Sequence, residues 1–223
     1  MRSFESGVTR RDFLRRASLT AGFFAVPGAF ADELLRQTPW GTQGPLYPDK
    51  LPLDTDNDLI IVNDSVTPAV GQITHLSGRI LDTRGDPVRD ATVEIWQVDS
   101  TATYLKERSS RKAGSFDENF QGFGRFLTGS NGGYYFRTIK PVTYPGRSAP
   151  HVHFMIKTRG RDPWTTQLYI KGHSGNRRDG IYRAIGDARS QEAVTAEFAP
   201  VKDSRIGELA ATFDIVLGFT PQG

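Results

Sequence analysis

Cysteine is absent from the 223 residues. That excludes disulfides, iron–sulfur clusters, thiolate zinc sites and cysteine nucleophiles. Any metal must be held by His, Asp, Glu, Tyr or backbone oxygen. A strong excess of one charge is missing too. The formal net charge is +3, from 28 basic and 25 acidic residues. Residues 1–31 contribute Arg2, Arg10, Arg11, Arg15 and Arg16 against Glu5 and Asp12. Without that segment the charges balance, so a basic footprint for nucleic acid is not expected. Hydrophobic residues at 37% and charged residues at 24% fit neither a disordered chain nor a multispan membrane protein. The length suits one domain, or at most two small ones. A chain of this size buries roughly 70% of its unfolded surface and needs no covalent staples.

The N-terminal segment reads as an address. Arg10-Arg11 is a twin-arginine pair followed by Phe13-Leu14, Ala17–Phe30 carries no charge, and Ala29-Phe30-Ala31 offers small residues two apart. The segment resembles a twin-arginine (Tat) signal peptide. The apolar stretch is too short to serve as a comfortable membrane anchor. A basic amphipathic helix on a membrane surface is the alternative, but no polar face recurs through it. The resemblance implies export of a folded protein, which fits one that acquires a metal or cofactor beforehand, to the periplasm or beyond, with a mature chain starting near Asp32.

Residues 32–70 are rich in Pro, Asp and Thr and read as an extended arm, with one short strand at Leu59–Val62. From 71 to 223 the chain is strand-like, with turn residues between the runs. Strands are expected at Ile73–Leu81, Ala91–Val98, Gly124–Thr128, Tyr134–Ile139, His151–Lys157, Thr165–Ile170, Ala193–Phe198 and Leu209–Val216. In the second of these Val93, Ile95 and Gln97 face one way, and Glu94, Trp96 and Val98 the other. Asp99–Phe123 and Gly172–Asp179 read as loops, the first long enough to be functional. One short helix is expected at Ile181–Ala188. Short strands with almost no helix predict an all-β fold, an antiparallel β-sandwich with long active-site loops.

Of the four histidines, two form His151-Val152-His153. Residues two apart in a strand share a face, so both imidazoles project side by side, as two ligands of one metal do. The flanks do not complete a familiar ligand set: Lys157 and Thr158 stand where a cupin-type site has its Glu, and Met155 and Ile156 where a His-x-His-x-Asp-His hydrolase has its other ligands. His75 or His173 would complete a three-histidine zinc site, although His173 also reads as a solvated loop residue. Tyr144, in a Pro-bounded loop just before the histidine strand, and Tyr104, in the long loop, read individually as packed aromatics. Two phenolates with two imidazoles would favour a hard ion such as Fe(III).

Taken in order, these residues resemble the intradiol ring-cleavage dioxygenases. The similarity runs through Gly44-Pro45-Leu46-Tyr47-Pro48, Gly78–Asp99 ending in Val93-Glu94-Ile95-Trp96-Gln97-Val98-Asp99, Tyr104, Phe123-Gly124-Arg125, Phe136-Arg137-Thr138-Ile139-Lys140-Pro141, Tyr144-Pro145, His151-Val152-His153-Phe154 and Thr166-Gln167-Leu168-Tyr169. Two departures stand out. Arg147-Ser148-Ala149-Pro150-His151 is one residue longer than the family's usual Arg-x-x-His step. Ala102-Thr103 replaces a glycine that usually precedes the first tyrosine.

The resemblance implies an enzyme that opens a catechol-type ring between its two hydroxyl-bearing carbons with O2, giving a muconate-type diacid. It implies Fe(III) as the cofactor, with Tyr104, Tyr144, His151 and His153 as metal ligands. Catalytic roles fall to Tyr144, which leaves the metal and accepts a proton, to Arg147, which stabilises negative charge on the ring, and to Gln167, which contributes a supporting hydrogen bond. A homo-oligomer is implied by the arm. An exported β-sandwich binding an aromatic or saccharide without turnover, and the zinc hydrolase of His151, His153 and His173, stand as alternatives. If the ring is carboxylated, Arg125, Arg137 and Lys106 are candidate counter-ions.

Overall fold

A computed structural model of the chain describes residues 34–62 and 66–219. The twin-arginine segment lies outside the described residues. Ten strands are described: β1 (Ile73–Leu81), β2 (Thr92–Trp96), β3 (Phe123–Leu127), β4 (Gly133–Ile139), β5 (His151–Lys157), β6 (Trp164–Ile170), β7 (Thr195–Ala196), β8 (Ala199–Pro200), β9 (Leu209–Thr212) and β10 (Ile215–Val216). One sheet has the order β10-β1-β9-β8, with β4 on the other edge of β1, and the second runs β3-β2-β5-β6-β7. The turn at 129–133 carries the chain from β3 in the second sheet to β4 in the first.

The two sheets share one apolar core. Leu76, Ile80 and Phe136 meet Val93, Ile95, Val152, Phe154 and Leu168 across it. The alternating pattern of β1 therefore has a simple cause: Thr74, Leu76 and Ile80 point inward while Ile73, His75 and Ser77 lie nearer solvent. β2, β5 and β6 differ, being buried on both faces over most of their length. Their inner face packs on the other sheet. Their outer face is roofed by loops and by the N-terminal arm, and Trp96, Val98, Tyr104, Phe123 and Met155 form a second cluster there with Tyr47 and Tyr144 against it.

An all-β sandwich with little helix is what the sequence predicts, but the sheets are mixed rather than wholly antiparallel. β1 runs parallel to both β9 and β10, and β6 runs parallel to β7. The run Leu209–Val216 is not one strand. It breaks at Phe213-Asp214, where the Phe213 carbonyl passes over Gly78 so closely that a Cβ there would stand 2.0 Å from it. Asp214 then replaces the backbone as partner, accepting from Arg79 N at 2.8 Å. Leu59–Val62 forms no strand. Asp58 makes an isolated bridge to Arg137 instead, and side chains in an Asp-rich run take the backbone donors, as with Ile60 N to Asp58 Oδ1 at 2.9 Å. The short helix expected at Ile181–Ala188 is two helices, Gly180–Arg183 and Ala188–Glu192, each capped by an aspartate before it. The long loop contains a 3₁₀ segment at Leu105–Ser110, and the Gly172–Asp179 loop another at Asn176–Arg178.

The arm is tied to the outer face of β2 by a buried charge. Glu94 is fully buried and accepts from Tyr47 Oη at 2.8 Å and from Arg125 Nη2 at 2.7 Å, with Lys157 Nζ at 2.9 Å. Tyr47 also sets its ring edge-on against Trp96 at 5.1 Å. Removing one partner from a buried ion cluster costs more than the cluster adds, because it leaves desolvated charge behind. Arg125 and Lys157 each keep 38% side-chain exposure and so can turn to water. Glu94→Ala is therefore expected to destabilise by about 2–3 kcal/mol, below the roughly 3–5 kcal/mol of broken pairs whose partners are both fully buried. Urea unfolding measures it, and a change below about 0.5 kcal/mol would contradict the reading.

Candidate metal centre

The centre is assembled on the roofed face of β5. His151 and His153 project from it side by side, with ring centroids 4.8 Å apart, while Val152 and Phe154 enter the core from the opposite face. His151 Nδ1 lies 2.7 Å from the Ala149 carbonyl, so it carries the proton and Nε2 presents a lone pair. The His153 ring is 11° from coplanar with Trp96 at 4.7 Å, stacked on it, and its Nδ1 has no hydrogen-bond partner among the described residues. On that side of the ring, stacking on Trp96 takes the place of a hydrogen bond. Burial pushes both histidines down, His151 to about 3 with help from the neighbouring Arg147 charge, and His153 well below the ordinary value. Both are neutral imidazoles, the form that ligates.

Tyr104 reaches the centre from a loop built by one buried carboxylate. Asp99 Oδ1 accepts from Thr101 N at 2.9 Å and Thr103 N at 3.0 Å, and Oδ2 accepts from Asp117 N at 2.9 Å. The tight turn this enforces puts Ala102 at φ +65°, the left-handed region that favours glycine. That explains physically why a glycine is usual near this position, and why an alanine here is strained. Ala102→Gly is expected to raise stability by about 0.5–1 kcal/mol, the strain relieved less the entropy glycine adds to the unfolded chain. Thermal unfolding reads it, and a fall in stability would show that the turn tolerates the side chain. Beyond the turn, Tyr104 is 1% exposed and its hydroxyl is 3.0 Å from His153 Nε2. Burial, then the nearby Tyr144, raises the Tyr104 phenol above its usual pKa. Ionising it requires a cation at the same spot.

Tyr144 and Arg147 arrive together. Tyr144-Pro145-Gly146-Arg147 closes on itself, with Arg147 N to Tyr144 O at 2.9 Å, Tyr144 N to Arg147 O at 3.3 Å and φ +88° at Gly146. Proline then glycine at the two central positions is the signature of a type II turn. The turn sets its two flanking residues side by side. The Tyr144 hydroxyl lies 3.4 Å from His151 Nε2, and Arg147 Nη1 lies 3.2 Å from the same nitrogen. The extra residue before His151 does not turn Arg147 into solvent. Its Nε donates to Asp179 Oδ2 at 2.9 Å, and Nη2 donates to Gln167 Oε1 at 2.8 Å and to Tyr169 Oη at 3.2 Å. Gln167 thus touches Arg147, and Tyr169 through its hydroxyl at 2.7 Å.

Asp179 is the residue that sequence reasoning missed. It lies 32 residues beyond Arg147, in what reads as a loop. Its fully buried carboxylate also accepts from Ile181 N at 3.1 Å and Tyr182 N at 3.0 Å. Burial alone would raise its pKa, but the hydrogen bonds from Arg147, Tyr182 and Ala149 outweigh it and hold the carboxyl below its usual value. The available signal was an aspartate before a short helix. The loop carrying Asp179 is locked to the Arg147 turn, since a Cβ on Gly175 would stand 1.8 Å from the Ser148 carbonyl.

His151, His153, Tyr104 and Tyr144 therefore converge. Two imidazoles and two phenol oxygens suit a hard, highly charged cation. His173 does not join them. It lies beside Tyr144 and Arg147 on a cavity wall, where its Nδ1 accepts from Gly175 N at 3.1 Å. Among the described residues no three of His, Cys, Asp and Glu group to hold a metal, which removes the three-histidine zinc site. Arg125, Arg137 and Lys106 are each engaged, with Glu94, Asp58 and Asp49.

A β-sandwich whose sheet face carries a mixed imidazole–phenol centre is the class this geometry defines. A family model described as dioxygenase matches residues 42–218. The beta chain of protocatechuate 3,4-dioxygenase from Burkholderia cepacia is 32% identical over 155 residues, 66% of this chain and 65% of the relative. A hydroxyquinol 1,2-dioxygenase from Nocardioides simplex is 30% identical over 131 residues, 51% of this chain and 42% of the relative. The chain thus spans less than two thirds of these curated relatives. Among solved structures, the dioxygenase domain of a carbohydrate-binding fusion protein from Streptomyces sp. SirexAA-E superposes with a TM-score of 0.63 at 25% identity, covering 83% of this chain and 100% of that one. The chain belongs to the intradiol ring-cleavage dioxygenase family.

Proposed function

We propose that the protein is an intradiol ring-cleavage dioxygenase. It opens a catechol-type ring between the two hydroxyl-bearing carbons and delivers both atoms of O2 into a muconate-type diacid. The observation that carries the reading is the meeting of Tyr104, Tyr144, His151 and His153 on one roofed sheet face of a chain in this family. These four residues would hold a ferric ion. When bound, that ion supplies Lewis acidity, drawing electron density from a doubly deprotonated catechol so that the ring carbons become open to attack by O2.

The chain's own residues divide the remaining work. Tyr104 is enclosed by the Asp99-ordered loop and stays as a fixed donor. Tyr144 is half-buried on a two-residue turn, so the phenolate it would present as a ligand can swing away and take a catechol proton, becoming a phenol. Arg147, steered by Asp179 and Gln167, directs Nη1 into the centre, where it stabilises negative charge on the ring in a poorly hydrated site. Trp96 and the roofing cluster keep water out.

A visible spectrum with elemental analysis of the purified protein tests the metal assignment. Phenolate-to-ferric charge transfer should colour it reddish-brown at one iron per chain. A colourless, active protein carrying zinc would contradict it.

Residues 1–31 support export of the folded protein by the twin-arginine route. Changing Arg10 and Arg11 together to Lys keeps the charge but removes the paired guanidinium groups. The precursor is then expected to accumulate in the cytoplasm, folded and active. Undiminished appearance outside would mean another route. Self-association through the arm is proposed with it, and sedimentation velocity reads the mass.

A further inference from the structure

Tyr47 belongs to the N-terminal arm, yet it closes the packing around one of the metal donors. Trp96 and His153 are directly opposed across β2 and β5, and their rings stack at 4.7 Å. Both side chains are buried, and among the described residues neither Trp96 Nε1 nor His153 Nδ1 has a hydrogen-bond partner. A metal-ligating imidazole ordinarily has its second nitrogen held by a hydrogen bond, which sets the orientation of the ring. Here that task passes to packing, so whatever holds the indole also holds the imidazole. Phe123 opposes Trp96 from β3. Tyr47 adds a wall that no strand supplies. Its ring stands edge-on to Trp96 at 5.1 Å and 86°, and to Phe123 at 6.0 Å and 88°. Edge-to-face contact is a directional aromatic geometry and resists rotation of the indole. The tyrosine is itself anchored: its hydroxyl donates to Glu94 Oε2 at 2.8 Å, and Lys157 Nζ lies 5.8 Å from its ring centroid. Burial, then the Glu94 carboxylate, raises the phenol's pKa, so it stays a donor. The arm's neighbouring tie, Lys106 Nζ to Asp49 Oδ1 at 2.8 Å, leaves Asp49 largely exposed and contributes little.

We propose, resting on the ferric reading of the centre, that Tyr47 is a positioning residue for the metal ligand His153. It acts through Trp96. Docking of the arm seats the tyrosine on Glu94, the tyrosine fixes the indole, and the indole holds the imidazole with Nε2 toward the Tyr104 hydroxyl, 3.0 Å away. Metal retention is thereby coupled to the arm, and a chain whose arm is not seated holds iron less well.

The test joins two readouts on the full chain. NMR of the metal-free protein with labelled histidines reads the stack, because the indole ring current moves the His153 ring protons upfield. Chelator competition reads ferric affinity. Tyr47→Leu should lose most of the upfield shift and about tenfold in ferric affinity, the low end of what loss of a ligand's support costs. That variant should fold, since Tyr47 is half-buried on the arm and the shared core lies on the opposite face of β2. Tyr47→Phe keeps the ring and loses the anchor, and should retain most of the shift with a smaller loss of affinity. Thr38→Val controls for a loosened arm. It removes the hydroxyl that accepts from Val216 N at 2.9 Å, and should leave both readouts at native values. A His153 shift unmoved in Tyr47→Leu, a lost shift with native affinity, or an equal loss of affinity in Thr38→Val would overturn the proposal. The metal-free spectrum separates this from the ferric reading. If the native chain takes up no iron, the ferric reading fails, while loss of the shift in Tyr47→Leu still supports the hold of the arm on the imidazole.

Discussion

Replacing His153 by alanine is expected to yield a folded, colourless protein without stoichiometric iron. The side chain is 4% exposed and lies on the roofed face of β5, so its loss opens a small polar gap there. The opposite face of the same strand still buries Val152, Phe154 and Ile156 in the shared core, which keeps the sandwich folded. Metal retention is another matter. Changes to groups that merely support ligands cost about 10–100-fold in metal affinity, so loss of a ligand is expected to cost at least about 100-fold. His151→Ala should behave in the same way. Tyr104→Phe removes one anionic donor and should weaken both iron retention and the visible band. His173→Ala should retain its iron, because that side chain points to the cavity wall rather than to the four donors. Metal analysis with circular dichroism decides. Full iron in His153→Ala would sink the ligand assignment.

Arg147→Ala should cut turnover while sparing iron. No donor atom is lost, but the group directed at the developing ring charge is. Removing one such donor typically costs about 10²–10³ in kcat, or roughly 3–4 kcal/mol. Arg147→Lys should recover only a fraction, since an ammonium cannot engage Asp179, Gln167 and the centre at once as the fork does. Asp179→Asn keeps the guanidinium but weakens its hold, and an intermediate loss is expected. Near-native steady-state constants in Arg147→Ala, with collapse in Arg137→Ala or Arg125→Ala, would place the role on another strand.

Much of this site was legible because its information is local. His-x-His in an apolar strand fixes two donors on one face by the two-residue period alone. Tyr144-Pro145-Gly146-Arg147 encodes its own turn, and the turn sets the tyrosine beside the arginine. β1 and β5 have the boundaries that their alternation predicts. What escaped depends on contacts distant in sequence. Asp179 meets Arg147 across 32 residues, and Tyr47 meets Glu94 across 47. No periodicity marks either pair. The break at Phe213 arises from a carbonyl passing over Gly78, a close approach invisible until both strands are in place. The parallel edges around β1 have the same origin, since strand order is set by how the sheets pack and not by any single run. The Ala102 substitution was visible as a departure, but its meaning came only with the backbone angle.

Mass analysis of the product formed from catechol under ¹⁸O2 tests the central claim most directly. The account predicts a ring opened between the two hydroxyl-bearing carbons, as a six-carbon diacid carrying two labelled oxygen atoms. A product cleaved beside the hydroxyl pair, or one whose oxygen comes from water, would contradict it.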